Sequence, residues 1–203
     1  MEQKGVTIWF TGMSGAGKTA LALRLEDELR RRGLRVERLD GDIVRQGLTA
    51  DLGFSKEDRD KNIERVTFVA RLLTRNGVAV LCSFISPYRA ARANVRQQTG
   101  SFVEVFCHAP LETLIERDVK GLYKKALAGE IENFTGVSDP YEEPVNPEIM
   151  INSATESIEQ SLAKVLRGLE ELGYVPPAAE EDGAYSDEEE AEIEARLAAL
   201  GYL

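Results

Sequence analysis

Lys18 and Thr19 end the segment Gly12-Met13-Ser14-Gly15-Ala16-Gly17-Lys18-Thr19, which fits the pattern G-x-x-x-x-G-K-[ST]. Glycines at that spacing let the backbone curl until successive N–H groups point into one cavity, where phosphate oxygens accept from them. A following helix adds the positive end of its dipole. In such a loop the lysine reaches the β- and γ-phosphates of a nucleoside triphosphate, and the hydroxyl of the last residue sits on Mg²⁺. The sequence therefore predicts a site for ATP and Mg²⁺ at Gly12, Met13, Ser14, Gly15, Ala16, Gly17, Lys18 and Thr19. The flanks fit: Val6 to Thr11 reads as a buried strand, and Leu21, Leu25 and Leu29 then recur every four residues, as on one helix face.

The elements that must hold this loop alternate along the chain. A first helix is expected from Lys18 to Arg32, stopped by Gly33. Val36 to Leu39 reads as a second strand ending in Asp40-Gly41-Asp42, followed by a polar helix-prone segment to Gly47. Ser55 and Asp58 resemble a capping box for a long helix to Asn76. Val78 to Cys82 is an apolar run suited to a central strand buried on both faces. A helix over Tyr88 to Gln98, a strand over Phe102 to Cys107 and a helical stretch from Pro110 to Ala128, with a break at Gly121, come next. The segment 129–147 carries glycines, prolines and aromatics without period, as a functional loop or lid would. Ile149 to Ile151 reads as a last short strand. Ser153 and Glu156 fit a capping box for a final helix ending near Gly173. This order predicts an α/β fold of three layers, α/β/α, with a mostly parallel five-stranded sheet and a lid over about 117–147. Ligands of such sheets bind at the carboxyl ends of the strands. That rule gathers the glycine-rich loop, Asp40, Asp42 and Ser83 to Ser86 at one edge.

The chain has 203 residues and a net charge of −10, of which −8 falls on residues 178–203. The rest is nearly neutral and can still focus positive charge in one cleft. No broad basic surface points to nucleic acid, and no run approaches a membrane span, so the expectation is a cytoplasmic protein with neither partner. Cys82 and Cys107 lie in strand-like apolar runs without C-x-x-C spacing and read as reduced core thiols. After Pro176-Pro177, Ser186 and Glu189 fit a cap, and Ile193, Leu197 and Leu200 form a stripe. This acidic tail with a short amphipathic helix is either a solubilising appendage or a docking element.

Guanine-nucleotide switches read their base with N-K-x-D, which is absent, and Asp118-Val119-Lys120-Gly121 lies in helix-like sequence rather than at a strand end. Motor-type ATPases carry an acid at the end of the neighbouring strand, where this chain has Cys82-Ser83. The acids follow the second strand instead, where small-molecule P-loop kinases place groups facing the acceptor. From about Gly5 to Tyr174 the sequence resembles the adenylylsulfate kinase (APS kinase) family. The resemblance is carried by GMSGAGKT, LDGDIVR at 39–45, LGFSKEDRDKNIERV at 52–66, SFISPYR at 83–89 and ERDVKGLYKKALAGEIENFTGVSDPYE at 116–142. It implies transfer of the ATP γ-phosphoryl group to the ribose 3′-hydroxyl of adenosine 5′-phosphosulfate (APS), giving 3′-phosphoadenosine 5′-phosphosulfate (PAPS).

By that resemblance Asp42 accepts the hydrogen bond of the 3′-hydroxyl; Asp40 is expected to hold Mg²⁺ through the ion's water shell; either acid could instead only cap or form a turn. Phe54 and Phe134 match the pair that sandwiches the adenine, although each could be core. Arg45 and Arg59 can fork onto phosphate and sulfate oxygens, with Asn62 on the same helix face as Arg59. Ile85, Ser86 and Asn133 line the acceptor site. Ser86 also matches a residue discussed as a phospho-acceptor, but nothing supplies it with a base, and a binding role is favoured. Lys120 is expected to contact the acceptor and Arg117 the ATP, although charges on such a helix are often merely solvated. Glu132 departs from the family, which often has Lys there. The family tends to form homodimers, and with no sulfurylase domain in the chain, APS must come from a separate ATP sulfurylase.

Overall fold

The computed structural model describes residues 3–177, so the expectations for the 178–203 tail lie outside the described residues. Five strands, β1 (Val6–Thr11), β2 (Val36–Asp40), β3 (Ala79–Ser83), β4 (Phe102–His108) and β5 (Ile149–Asn152), form one sheet in the order β2-β3-β1-β4-β5. Every pairing is parallel. All residues of β1 and β3 are buried, as the continuous apolar runs require of strands covered on both faces.

Two helices, α1 (Lys18–Arg31) and α7 (Ile158–Glu171), cover one face of the sheet; α3 (Lys56–Arg75) and α4 (Arg89–Thr99) cover the other. The core accordingly splits in two. Ile8, Phe10, Leu21, Leu25, Val105 and Val165 lie on the first side, and Trp9, Val66, Ala70, Cys82 and Val95 on the second. The period of two in β1 sends Ile8 and Phe10 one way and Trp9 the other.

Register brings the chemistry together. Phe10, just before the loop, pairs with Ser83, and Ser83 pairs with Asp40. The ends of β1, β2 and β3 are thus level, although they lie far apart in sequence. A short helix, α2 (Gly41–Val44), starts immediately after β2.

The expected helix over 110–128 is two helices, α5 (Leu111–Arg117) and α6 (Leu122–Leu127). The break sits at Asp118, with φ 23°, and Gly121, with φ 65°. Asp118 then caps α6 by accepting from the Tyr123 and Lys124 amides. Segment 129–147 has no helix or strand element, only an isolated bridge between Thr135 and Asp139. The cap expected at Ser153 and Glu156 is corrected. Ser153 donates its amide to the His108 carbonyl, and Asn152 accepts from the Ala154, Thr155 and Glu156 amides, so this stretch is a turn that closes β5. The capping box is made four residues later by Ser157 and Gln160, each accepting the other's backbone N–H. At Ser55 only half a box forms: its hydroxyl accepts from the Asp58 amide.

The corrected cap is testable. Ser157→Ala should cost about 1 kcal/mol of unfolding free energy and lower Tm by about 2–4 °C in a chain of this size. Ser153→Ala should cost about 0.5 kcal/mol or less by the same denaturant titration. Equal losses would restore the first assignment.

Candidate active site

The loop between β1 and α1 is shaped by contacts that only glycine permits at two points. At Gly12, φ is 146° and an added Cβ would stand 2.3 Å from the Cys107 carbonyl oxygen of β4. At Gly17, φ is 86°, and this residue precedes the first turn of α1. Lys18, the first residue of that helix, is buried and donates through Nζ to the Gly12 and Met13 carbonyls at 2.7 and 2.8 Å. Its side chain therefore lies across the loop it must serve. Burial pulls the Lys18 pKa down to about 8. Burial pushes the neighbouring Cys107 thiol up to about 12, so it stays neutral; like Cys82, it is a free, buried thiol.

Thr19 Oγ1 donates to Asp40 Oδ2 at 2.8 Å. The other oxygen of Asp40 accepts the Asp42 amide at 3.0 Å and caps α2, so the capping role weighed for this acid is real and leaves Oδ2 facing Thr19. The Ser83 hydroxyl, in register with Asp40, is buried without a partner. An oxygen-only corner of this kind fits Mg²⁺, which is held by one or two protein oxygens with phosphates and waters rather than by an all-protein cage. Among the described residues no cluster of three or more His, Cys, Asp or Glu offers such a cage.

Across the strand ends stands the second half of the site. Asp42 is exposed on the first turn of α2, and its Oδ2 accepts from Lys120 Nζ at 2.8 Å. Arg45 donates to the Leu52 and Gly53 carbonyls and lies 4.3 Å from the centre of the Phe54 ring. Arg59, on the first turns of α3, stands 5.8 Å from the same ring. Phe54 is 57% exposed, and its ring is met by the guanidiniums of Arg45 and Arg59 rather than by the core. Burial, followed by the charge of Arg59, pulls the Arg45 pKa down; the two guanidiniums crowd each other, and an anion between them would relieve that.

Arg59 also joins two segments. Its Nε donates to the Phe54 carbonyl at 2.9 Å and its Nη2 to the Asn133 carbonyl at 2.5 Å. Asn133 holds φ at 55°, and the next residue, Phe134, opens a tight turn. The Phe134 amide donates to Ser138 Oγ, and its carbonyl accepts from the amides of Val137, Ser138 and Asp139. The half-buried Phe134 ring meets Tyr123 edge to face, with ring centres 5.1 Å apart. One guanidinium thus ties the backbone at Phe54 to the backbone at Asn133, the residue before Phe134. Asn62 is buried on the same face of α3 as Arg59, and its Oδ1 accepts from Thr49.

Two expected residues have other partners. Ser86 Oγ is buried, accepts from Trp9 Nε1 at 3.0 Å and donates to Thr11 Oγ1 at 3.1 Å; with φ at 40° it shapes the loop after β3, and its hydroxyl is spent on these partners. Ile85 offers its carbonyl to Thr11. Arg117 donates to the Ser153 carbonyl at 2.9 Å, and Ser153 lies next to Gly17, so Arg117 stands on the nucleotide side. Glu132 is exposed.

Sequence reasoning overlooked Tyr123, whose hydroxyl donates to the Ser14 carbonyl at 2.9 Å and pins α6 to the glycine-rich loop. It also overlooked the buried pair Arg92–Glu104. A glutamate inside the run Phe102-Val103-Glu104-Val105-Phe106 was its signal, since a buried carboxylate demands a partner.

A parallel sheet with a glycine-rich phosphate loop after β1 and an acid after β2 is the fold of P-loop kinases. A family profile described as adenylylsulphate kinase matches residues 4–152. The probable adenylyl-sulfate kinase of Pseudomonas aeruginosa is 66% identical over 167 residues, covering 82% of this chain and 78% of that one. The adenylyl-sulfate kinase of Halothermothrix orenii is 61% identical over 173 residues, covering 85% and 94%. The structure of the Mycobacterium tuberculosis APS kinase CysC in complex with AMPPNP and APS is similar at 45% identity and a TM-score of 0.79, covering 83% of this chain and 99% of that one. The chain belongs to the adenylylsulphate kinase family.

The Lys18 ammonium gives a pH test. The unfolded chain holds this proton up to the ordinary value of 10.5, the folded chain only to about 8. The unfolded state therefore binds more protons between these values, and stability contributed by this group rises with pH across that window. Ligand-free wild type should gain stability relative to Lys18→Met from pH 8 to 10.5, by on the order of 3 kcal/mol at most. Denaturant unfolding at several pH values measures this; a constant difference between the two proteins would refute it.

Proposed function

We propose that this protein transfers the γ-phosphoryl group of ATP to the 3′-hydroxyl of APS, producing PAPS and ADP. The observation that carries this reading is the pairing of an exposed Phe54 with the crowded guanidiniums of Arg45 and Arg59, opposite a phosphate loop. A flat base stacks on an aromatic ring without a full set of hydrogen bonds. A phosphosulfate supplies the anion that two guanidiniums need. A sugar or simple alcohol would use neither.

Phosphoryl transfer needs alignment and charge neutralisation more than covalent help. The loop amides of 12–19 and Lys18 hold the β- and γ-phosphates. Thr19 and Asp40 would hold Mg²⁺, which supplies charge to offset the phosphates when bound. Asp42 accepts the hydrogen bond of the 3′-hydroxyl and aims its oxygen at the γ-phosphorus. The new O–P bond forms as the bond to the β-phosphate oxygen breaks, ADP leaves, and the hydroxyl proton passes by way of the carboxylate to solvent. Lys120, already within hydrogen-bond distance of Asp42, comes from the lid and contacts the acceptor. Arg117 serves the nucleotide. Ile85, Ser86, Asn62 and Asn133 support the acceptor pocket, and Ser86 acts by shape rather than as a phosphate carrier. Closure of the lid over 117–147 keeps water from competing with the hydroxyl.

The kinase domain spans 1–177 in this reading, with 178–203 outside the catalytic unit. A homodimer is expected on family grounds. A hexameric APS kinase from Thiobacillus denitrificans, 36% identical, supports self-association. A probable bifunctional SAT/APS kinase of Sorangium cellulosum, 58% identical over 172 residues that make up 30% of its length, supports ATP sulfurylase as a functional partner that supplies APS. No helix among the described residues is long and apolar enough to cross a membrane. Free thiols at Cys82 and Cys107 agree with a cytoplasmic setting.

Incubation with MgATP and APS should yield PAPS and ADP in equal amounts, and chelation of Mg²⁺ should stop it. Turnover of another alcohol but not APS would sink the proposal. Asp42→Asn should lower kcat by about 10²-fold or more with little change in KM for MgATP. Phe54→Ala should raise KM for APS by about tenfold or more, as loss of one base-stacking face does, and leave KM for MgATP within about twofold.

A further inference from the structure

We propose that Arg92 is a positioning residue for the acceptor half of the site: it clasps the loop after β3 and the C-terminal end of the lid from beneath, so that the two move as one. The inference deepens the reading of the same site and rests on it for the kinetic effect. Arg92 lies on α4 and is 3% exposed. Its guanidinium is spent on three different segments. Nε donates to Glu104 Oε1 of β4 at 2.8 Å, Nη1 to the Ser86 carbonyl at 2.6 Å, and Nη2 to the Glu142 carbonyl at 2.6 Å. The same guanidinium lies 5.8 Å from the centre of the Tyr141 ring.

A buried charge is retained only where its partners are fixed. Here Glu104 is 7% exposed on a central strand, so it anchors the guanidinium, and the guanidinium in turn anchors both loops. The planar fork is needed for this: a lysine ammonium carries no rigid pair of donors spaced to hold two carbonyls at once.

Proton accounting closes the clasp from above. Thr11 Oγ1 has one hydrogen, and it goes to the Ile85 carbonyl at 2.8 Å. Ser86 donates to that oxygen. The 2.9 Å contact between Thr11 Oγ1 and the Tyr141 hydroxyl must therefore be donated by Tyr141. Burial pushes the Tyr141 pKa well up, which keeps that proton in place. The Glu142 amide donates to the Pro87 carbonyl, a further tie between the same two segments. Ser86, with φ at 40°, sits in a conformation that L-residues rarely adopt, and its carbonyl is the one Arg92 holds.

The consequence is specific to the acceptor. In the proposed reading the loop 83–88 borders the acceptor and 140–142 is tied to that loop, whereas the phosphate loop is held by β1, β4 and α1. Arg92→Lys keeps the charge beside Glu104 but cannot reach both carbonyls. In hydrogen exchange followed by mass spectrometry without ligands, segments 83–89 and 139–143 should both exchange faster, by about tenfold, while β1 and α1 remain as in wild type. The emission of Trp9, the single tryptophan, should shift as its Ser86 partner loosens. In the assay with MgATP and APS, KM for APS should rise by about tenfold while KM for MgATP stays within about twofold. A folded Arg92→Lys protein with unchanged exchange, with only one segment affected, or with both KM values raised in parallel overturns the proposal. Should Arg92→Lys fail to fold, Tyr141→Phe removes one donor without burying a charge; it must show the same pattern more weakly, and wild-type behaviour there overturns the proposal. Absence of PAPS formation by wild type would refute the functional reading alone, while the paired exchange would still judge the clasp.

Discussion

The Thr11 hydroxyl is where the donor and acceptor halves of this kinase touch. Thr11 ends β1, one residue before the phosphate loop, and its single oxygen meets Ile85, Ser86 and Tyr141. A buried hydroxyl with all its capacity used admits one arrangement of its partners, because any displaced partner leaves a polar atom unpaired away from water. The strand that delivers the phosphate loop thereby also sets the height of the loop after β3. In-line transfer tolerates little error in that relation. Parallel pairing makes it possible, since Asp40 and Ser83, the last residues of β2 and β3, lie level with Phe10, the last residue but one of β1.

Charge is arranged on the same principle. The chain is strongly acidic overall, yet Lys18 lies against the glycine-rich loop, Arg45 and Arg59 stand around Phe54, Lys120 meets Asp42 and Arg117 meets the Ser153 carbonyl. Several of these use carbonyl oxygens as partners rather than carboxylates. Carbonyls orient a guanidinium without cancelling its charge, so the positive field survives for an incoming anion.

Much of the donor side was legible from residue types. Glycine spacing, an apolar strand before it and a four-residue leucine repeat after it leave few other structures, and all of these features are local. The sheet followed from alternation of apolar runs and helical periods. The acceptor side was legible only through resemblance, because Arg59 ties the backbone at Phe54 to that at Asn133 by a guanidinium bridge that no local period encodes. The misplaced cap shows the same limit at small scale. Ser153 and Ser157 both suit a cap, and only the ladder contact between Ser153 and His108 decides between them. Ser86 was readable as a polar residue at a strand end, but the indole of Trp9, on a neighbouring strand, claims its oxygen. Glu104 carried a legible warning in being charged within an apolar run, and its partner on α4 could be found only in three dimensions.

The buried ammonium of Lys18 has a consequence outside catalysis. Burial that pulls the Lys18 pKa down to about 8 marks an ammonium that a bound phosphate would stabilise. Occupied protein is then the more durable form, since a ligand that binds only the folded state shifts the balance away from unfolding. In a cell, where proteases sample unfolded chains, the lifetime of this enzyme would follow the supply of nucleotide, and scarcity of its own substrate would thin its population without any dedicated regulator.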